Sequence, residues 1–131
     1  MKMKFLAITA FALFVTFSAC KKTEGVVDTS PKVTILTPTV GQNFATGDTI
    51  YFTGTASDNE DLHEGKLEIL LASNDSILAS KNEYVHAVKS YDFDGRFFIP
   101  VASTIDAKAR ATYEDHDGNI TVSEVRIVLK P

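Results

Sequence analysis

The side chains that could do chemistry fall in three short stretches. Asp58, Asn59, Glu60, Asp61 and Glu64 form the first, Asp92 and Asp94 the second, and Glu114, Asp115, Asp117 and Asn119 the third. Oxygen-rich sets of this kind suit a hard cation, because Ca2+ takes roughly six to eight oxygens from carboxylates, Asn carbonyls and backbone. The calcium-ligand candidates are therefore Asp58, Asn59, Asp61, Asp92, Asp94, Asp115, Asp117 and Asn119. The same residue types dominate ordinary turns, where Asn and Asp bond their own backbone, and that is the simpler reading. An EF-hand is absent at 115–119, which lacks the bidentate Glu at its required offset.

Other chemistry is thinner. His63 and His116 flank the first and third stretches and could join Asp61 or Asp117 around a transition metal. No HxH or HExxH spacing supports this, so solvated loop histidines are the plainer account. His86 falls on an expected strand face. Carboxylate pairs such as Asp58 with Asp115 can be assembled, but nothing supplies a nucleophile with an oriented base, so an enzyme is not expected. Tyr51, Tyr84, Tyr91 and Phe98 give faint support for stacking a glycan, since the chain has no Trp and its tyrosines are scattered. Aromatic residues on strand faces more often pair across strands.

The single cysteine, Cys20, excludes an internal disulfide and a CxxC or zinc set. Its surroundings give it another use. Lys2 and Lys4, the uncharged apolar run Phe5–Phe17, and Ser18-Ala19 have the three-part form of an export signal. The apolar run is shorter than the roughly 20 residues that span a bilayer. Beyond that signal, the stretch Phe17-Ser18-Ala19-Cys20 resembles a bacterial lipobox, with Phe17 where the pattern usually carries Leu, Val or Ile. The resemblance implies cleavage before Cys20 and lipidation of its thiol. Lys21, in place of an acidic residue, implies by the same resemblance an outer-membrane lipoprotein of a Gram-negative cell.

The chain then divides into a signal peptide at 1–19, a lipidated N-terminus and tether at 20–31, and one domain at 32–131. The tether lacks periodicity and would reach at most about 35–40 Å when extended. The formal net charge is −4, and losing Lys2 and Lys4 leaves the domain more acidic still. With no basic stripe, nucleic acid is not an expected partner. Holding an anionic membrane by charge alone is also excluded, which leaves the lipid anchor as the membrane contact.

The elements that must position the acidic stretches are strands, marked by period-2 alternation between Gly, Asn, Asp and Pro punctuation. Expected strands are Lys32–Leu36, Thr49–Ala56, Lys66–Ala72, Arg96–Ile99, Ala107–Tyr113 and Ile120–Leu129, with one bent strand or two short ones in 77–91. Inward residues are Val33 and Ile35; Ile50, Phe52, Gly54 and Ala56; Leu67, Ile69 and Leu71. On the last two strands they are Ala107, Ala109, Ala111 and Tyr113, then Val125, Ile127 and Leu129. Ile120 and Val122 sit out of phase, which predicts a bulge near Ser123-Glu124. Stretches 57–65 and 92–95 read as turns. About seven short strands without a persuasive helix indicate an all-β antiparallel sandwich.

Two motifs make that specific. Gly54-Thr55-Ala56-Ser57-Asp58-Asn59 resembles the end of the second strand in bacterial immunoglobulin-like and cadherin-like repeats. The segment from Ala111 to Thr121, with its acidic residues before Gly118-Asn119, resembles their penultimate hairpin. The resemblance implies an immunoglobulin-like fold, and one such domain on a short lipid tether is similar to a surface-lipoprotein family without assigned function. It implies no catalytic residues. The expected function is a non-catalytic binding or structural module for a protein or adhesion partner. The alternative is a calcium-stabilised or carbohydrate-capture accessory lipoprotein. If 77–91 is one strand, alternating directions gather the three acidic stretches at one pole, together with the entry of the tether.

Overall fold

A computed structural model describes residues 27–131; the signal segment, Cys20 and the first part of the tether lie outside the described residues. The strands are β1 (Lys32–Thr37), β2 (Gln42–Ala45), β3 (Ile50–Leu71), β4 (Ile77–Glu83), β5 (Val88–Phe97), β6 (Ile105–Asp115) and β7 (Ile120–Lys130). All regular structure among the described residues is β, in an immunoglobulin-like sandwich of seven strands.

The architecture turns on β3, which is 22 residues long and belongs to both layers. Its first part, Ile50–Ser57, pairs with β1 on one side and β5 on the other. Its second part, Leu62–Leu71, pairs with β6 and β4. Outside β6 lies β7, and β2 runs parallel to the end of β7. One layer is thus β1-β3-β5 and the other β4-β3-β6-β7-β2, with β3 as the seam.

Alternation explains the core. Ile50, Phe52, Gly54 and Ala56 face inward from one layer, and Leu67, Ile69, Ala107, Ala109, Ala111, Tyr113, Ile127 and Leu129 from the other. The layers meet through Phe93 on β5 and Tyr113 on β6, whose rings stack at 5.6 Å with 26° between planes. Each ring rests on a glycine of β3 directly across the ladder, Phe93 on Gly54 and Tyr113 on Gly65. A Cβ at Gly54 would overlap the Phe93 ring and the Thr34 carbonyl oxygen, and one at Gly65 would overlap the Tyr113 ring. Tyr113 is fully buried and its hydroxyl has no hydrogen-bond partner among the described residues. Burial, with the nearby Glu83 and Tyr91, pushes that hydroxyl's pKa far up, so it stays neutral.

Four sequence expectations change. Stretch 57–65 is no turn: β3 runs through it, shifting register between Ser57 and Leu62 as it passes from one layer to the other. Leu62, fully buried, pins that crossover inside the sandwich. Residues 77–91, for which one bent strand or two short ones stood open, form parts of two strands, one in each layer. Asp92-Phe93-Asp94-Gly95 is no turn but the middle of β5, where Asp92 and Asp94 face solvent between the inward Tyr91, Phe93 and Gly95. There is no bulge at Ser123-Glu124, since β6 and β7 keep one register from Ile105–Leu129 to Glu114–Ile120. Ile120 and Val122 simply face outward. The short β2 lies in a segment that read as loop.

The chain joins the domain before β1. Asn59 accepts from the Thr29 N–H (3.1 Å) and hydroxyl (2.7 Å), and its amide donates to the Val27 carbonyl (3.1 Å). Residues 27–29, read as tether, are docked on the β3 crossover.

Two outcomes follow from this packing. Gly54→Ala should lose about 2 kcal/mol through overpacking, while Tyr113→Phe, by removing an unpartnered buried hydroxyl, should leave stability unchanged or raise it by about 1 kcal/mol; urea midpoints measure both. Asn59→Ala should cost about 1 kcal/mol for its exposed bonds and speed amide exchange at Thr29 without changing exchange in β6.

Candidate metal-binding pole

Two core stripes end in carboxylates. On β3 the inward positions run Ile50, Phe52, Gly54, Ala56 and then Asp58; on β6 they run Ala107, Ala109, Ala111, Tyr113 and then Asp115. Because a strand repeats every two residues, the position that continues each apolar stripe points into the sandwich whatever residue occupies it. Asp115 is accordingly buried to 1% exposure, and Asp58 is half-buried. A third carboxylate, Asp28, comes from the docked entry segment. One oxygen from each of Asp28, Asp58 and Asp115 lies within 4.8 Å of the others.

Hydrogen bonds account for part of this cluster. The Asp117 and Asn119 backbone N–H groups donate to Asp115 Oδ1 at 2.9 and 2.8 Å. The Asn119 amide donates both to Asp115 Oδ2 (2.8 Å) and to Asp28 Oδ2 (2.6 Å). Asp58 Oδ1 accepts from the Glu60 N–H at 2.8 Å. Left over are Asp28 Oδ1 and Asp58 Oδ2, both buried and without a hydrogen-bond partner among the described residues.

The electrostatics follow from that pattern. Burial is the largest effect on Asp115 and pushes its pKa up. Donation from the Asn119 side chain and from the Asn119, Asp117 and Gly118 backbone outweighs it, holding the carboxyl below the usual range. For Asp28 the balance reverses: burial, then the charges of Asp115, Asp117 and Asp58, raise its pKa against a smaller lowering by the Thr29 backbone. A divalent cation would satisfy the two orphaned oxygens and reverse the repulsion.

The eight calcium candidates therefore separate. Asp58 and Asp115 come together, with Asn119 as the crosspiece between Asp115 and Asp28. Asn59 clamps the entry segment. Asp61 and Asp117 line the rim of an adjoining depression of about 340 Å³, beside His86 and His116. Asp92 and Asp94 take no part, because they sit mid-strand opposite Thr55 and Thr53. Sequence reasoning missed Asp28, whose tether-like neighbours carry no periodic signal. It also separated His86 from His63 and His116, whereas the three rings meet. The four aromatics considered for sugar stacking do not form one platform: Tyr84 lies at this pole, Tyr51 and Phe98 at the other end, and Tyr91 donates to Glu83 at 2.7 Å.

The pole itself holds the β3 crossover, the β4–β5 connection, the β6–β7 turn and the entry of the chain. The parity reading required one strand in 77–91 and the structure has two there; of its three acidic stretches, only 58–64 and 114–119 lie at this pole.

Comparison with known proteins agrees with this fold. The chain is similar to the fibronectin(III)-like modules of CbhA from Clostridium thermocellum, with 17% identity and a TM-score of 0.50 over 76% of this chain and 96% of that one. CopC from Methylosinus trichosporium OB3b is 10% identical, with a TM-score of 0.45 over 76% of this chain and 95% of that one. Only the first of these bears on the fold, and on the fold alone. A search of curated proteins finds no match. The sequence profile described as bacterial Ig domain matches residues 31–123, most of the described chain. A domain of this kind is a non-catalytic structural or binding module. With seven strands, a shared β3 seam and that match, the chain belongs to the bacterial Ig domain family.

Proposed function

We propose that this protein is a lipid-anchored, non-catalytic binding module of the cell envelope, attached through an acylated Cys20 at the outer membrane. The observation that carries this reading is the docked entry segment. Asn59 fixes residues 27–29 at the carboxylate pole, so only 21–26 separate the domain from Cys20. Six residues span at most about 22 Å, which keeps that pole near the lipid surface. The opposite end then faces away, and there Leu36, Val40, Tyr51 and Phe98 are exposed, Val40 by 83% and Phe98 by 61%. Apolar groups in that position suit a protein partner better than a glycan, since no two of them are paired as a sugar-stacking platform.

The anchor is tested by feeding labelled palmitate to cells expressing the full chain. Label should enter the wild type and be absent from Cys20→Ser, which should also leave the membrane fraction. Membrane-bound, unlabelled wild type would overturn the reading.

A second reading concerns calcium, favoured by the unpartnered oxygens of Asp28 and Asp58 beside the buried Asp115. Calcium there would tie the entry segment to both layers and stabilise the native state by mass action. Extracellular modules bind calcium with Kd of about 0.1–1 mM. At about 10 mM calcium the stabilisation is then roughly 1.4–2.7 kcal/mol, or a Tm increase of about 5 °C or more. The increase should vanish in Asp58→Asn and with chelator, and equal melting with and without calcium would remove the metal.

A further inference from the structure

We propose that His63, His86 and His116 form a binding site for one late divalent transition-metal ion, Zn2+ or Cu2+. The inference is independent of calcium and of the lipid anchor. The chain has three histidines, and all three meet at this point. They come from three separate places: His63 from β3 just past the crossover, His86 from the β4–β5 connection, and His116 from the start of the β6–β7 turn.

The geometry is close to that of a coordination shell. Ring centroids are 4.9 Å apart for His63 and His116, 4.8 Å for His86 and His116, and 5.7 Å for His63 and His86. One nitrogen from each ring lies within 4.8 Å of those of the other two. A tetrahedral ion with Zn–N bonds of about 2.0–2.1 Å needs its nitrogens about 3.4 Å apart. Closing the shell therefore takes about 1 Å of side-chain movement. The three rings are exposed, so χ1 and χ2 rotation can supply it without moving the backbone.

That backbone is held from inside. Each histidine directly follows a buried residue: Leu62 at 0% exposure before His63, Val85 at 2% before His86, and Asp115 at 1% before His116. The His116 N–H also donates to the Asp61 carbonyl at 3.1 Å, which joins the turn to the β3 crossover. The result is three mobile imidazoles on three fixed stems.

Donor chemistry selects the ion. Neutral imidazole favours zinc, copper and nickel, whereas calcium takes oxygen. The histidines and the carboxylate cluster thus sort ions by softness at the same pole. Three protein ligands would leave a fourth position open, and the cluster adjoins the depression that His86, His116, Asp61 and Asp117 help to line. Those carboxylates and Glu60 raise the local concentration of cations, and a water or a partner's donor atom can complete the shell.

The test uses the untagged full chain in detergent, stripped with chelator and titrated with ZnCl2 or CuSO4. One equivalent should bind with a Kd of about 10 µM or tighter. His63→Ala and His86→Ala should each weaken binding at least about tenfold, and millimolar calcium should not displace the ion. In the wild type, the Cu2+ electron paramagnetic resonance spectrum should show coupling to three imidazole nitrogens, which decides the matter even if a variant unfolds. A Kd weaker than about 100 µM, unchanged binding in the His63→Ala/His86→Ala double variant, or fewer than three coupled nitrogens would overturn the proposal.

Discussion

The stack of Phe93 on Tyr113 is the contact on which the rest of the molecule depends. It joins the two layers, and it exists because one strand offers a bare Cα to each ring. Gly54 lies in the first part of β3 and Gly65 in the second, on either side of the crossover. Glycine in a strand normally weakens it, through lost packing and greater chain entropy. Here the cross-strand aromatic fills the missing volume, and the layers approach closely where the strand changes partners. The crossover is consequently fixed at both ends, with Leu62 buried between them. A polar, acidic segment that would be mobile as a loop becomes a rigid platform, and every group of the carboxylate pole is mounted on it or opposite it.

Much of the fold was legible because burial on one face imposes alternation. Ile50 to Ala56 and Ala107 to Tyr113 were both assigned the correct inward face, since each apolar stripe alternates with Thr, Lys or Arg. Two of the errors, at 57–65 and 92–95, share one cause: acidic residues read as turn punctuation. Asp92 and Asp94 are outward positions of β5, and extending its alternation through Phe93 and Gly95 would have shown it. Applied to β3 and β6, the same rule places Asp58 and Asp115 inward one step beyond Ala56 and Tyr113. The site was therefore partly written in the pattern. Asp28 was not, because a segment docked through side-chain bonds to Asn59 has no period to read. The histidine cluster was equally hidden, as it depends on 77–91 being divided between two strands in different layers.

A carboxylate at the end of a hydrophobic stripe demands compensation, because burying charge without partners costs several kcal/mol. For Asp115 the protein supplies three hydrogen bonds from the β6–β7 turn, with Gly118 in a left-handed conformation (φ 84°) that lets the turn close around it. At the opposite end, acids near the surface are instead paired with cations. Asp75, in the β3–β4 turn, is held below the usual carboxyl range by hydrogen bonds from Lys108 and Arg110, and Arg110 also binds Glu124 at 2.6 Å. Among the described residues, no Lys or Arg plays that role for Asp28, Asp58 and Asp115. The contrast between the two ends of the sandwich is chemical: one end neutralises its acids with side chains, and the other gathers acids and leaves oxygens open.

That contrast bears on how the domain, if anchored as proposed, would respond to its surroundings. Orphaned oxygens and clustered imidazoles both gain most from a cation supplied by the medium, but they favour different ones. Both sets include residues of the β6–β7 turn, and both draw on the β3 crossover, so occupation of either stiffens the same two elements. Calcium would additionally engage Asp28 and hence the chain leading to Cys20. A transition metal would instead engage the β4–β5 connection, where Ala87 adopts φ 56° beside His86 and Tyr84 is fully exposed. The first ion would set how firmly the domain is tied to its anchor, and the second would set the shape of the surface beside it. Such separate control would follow from a single structural feature, the passage of β3 between layers, which brings three connections and the chain entry to one end.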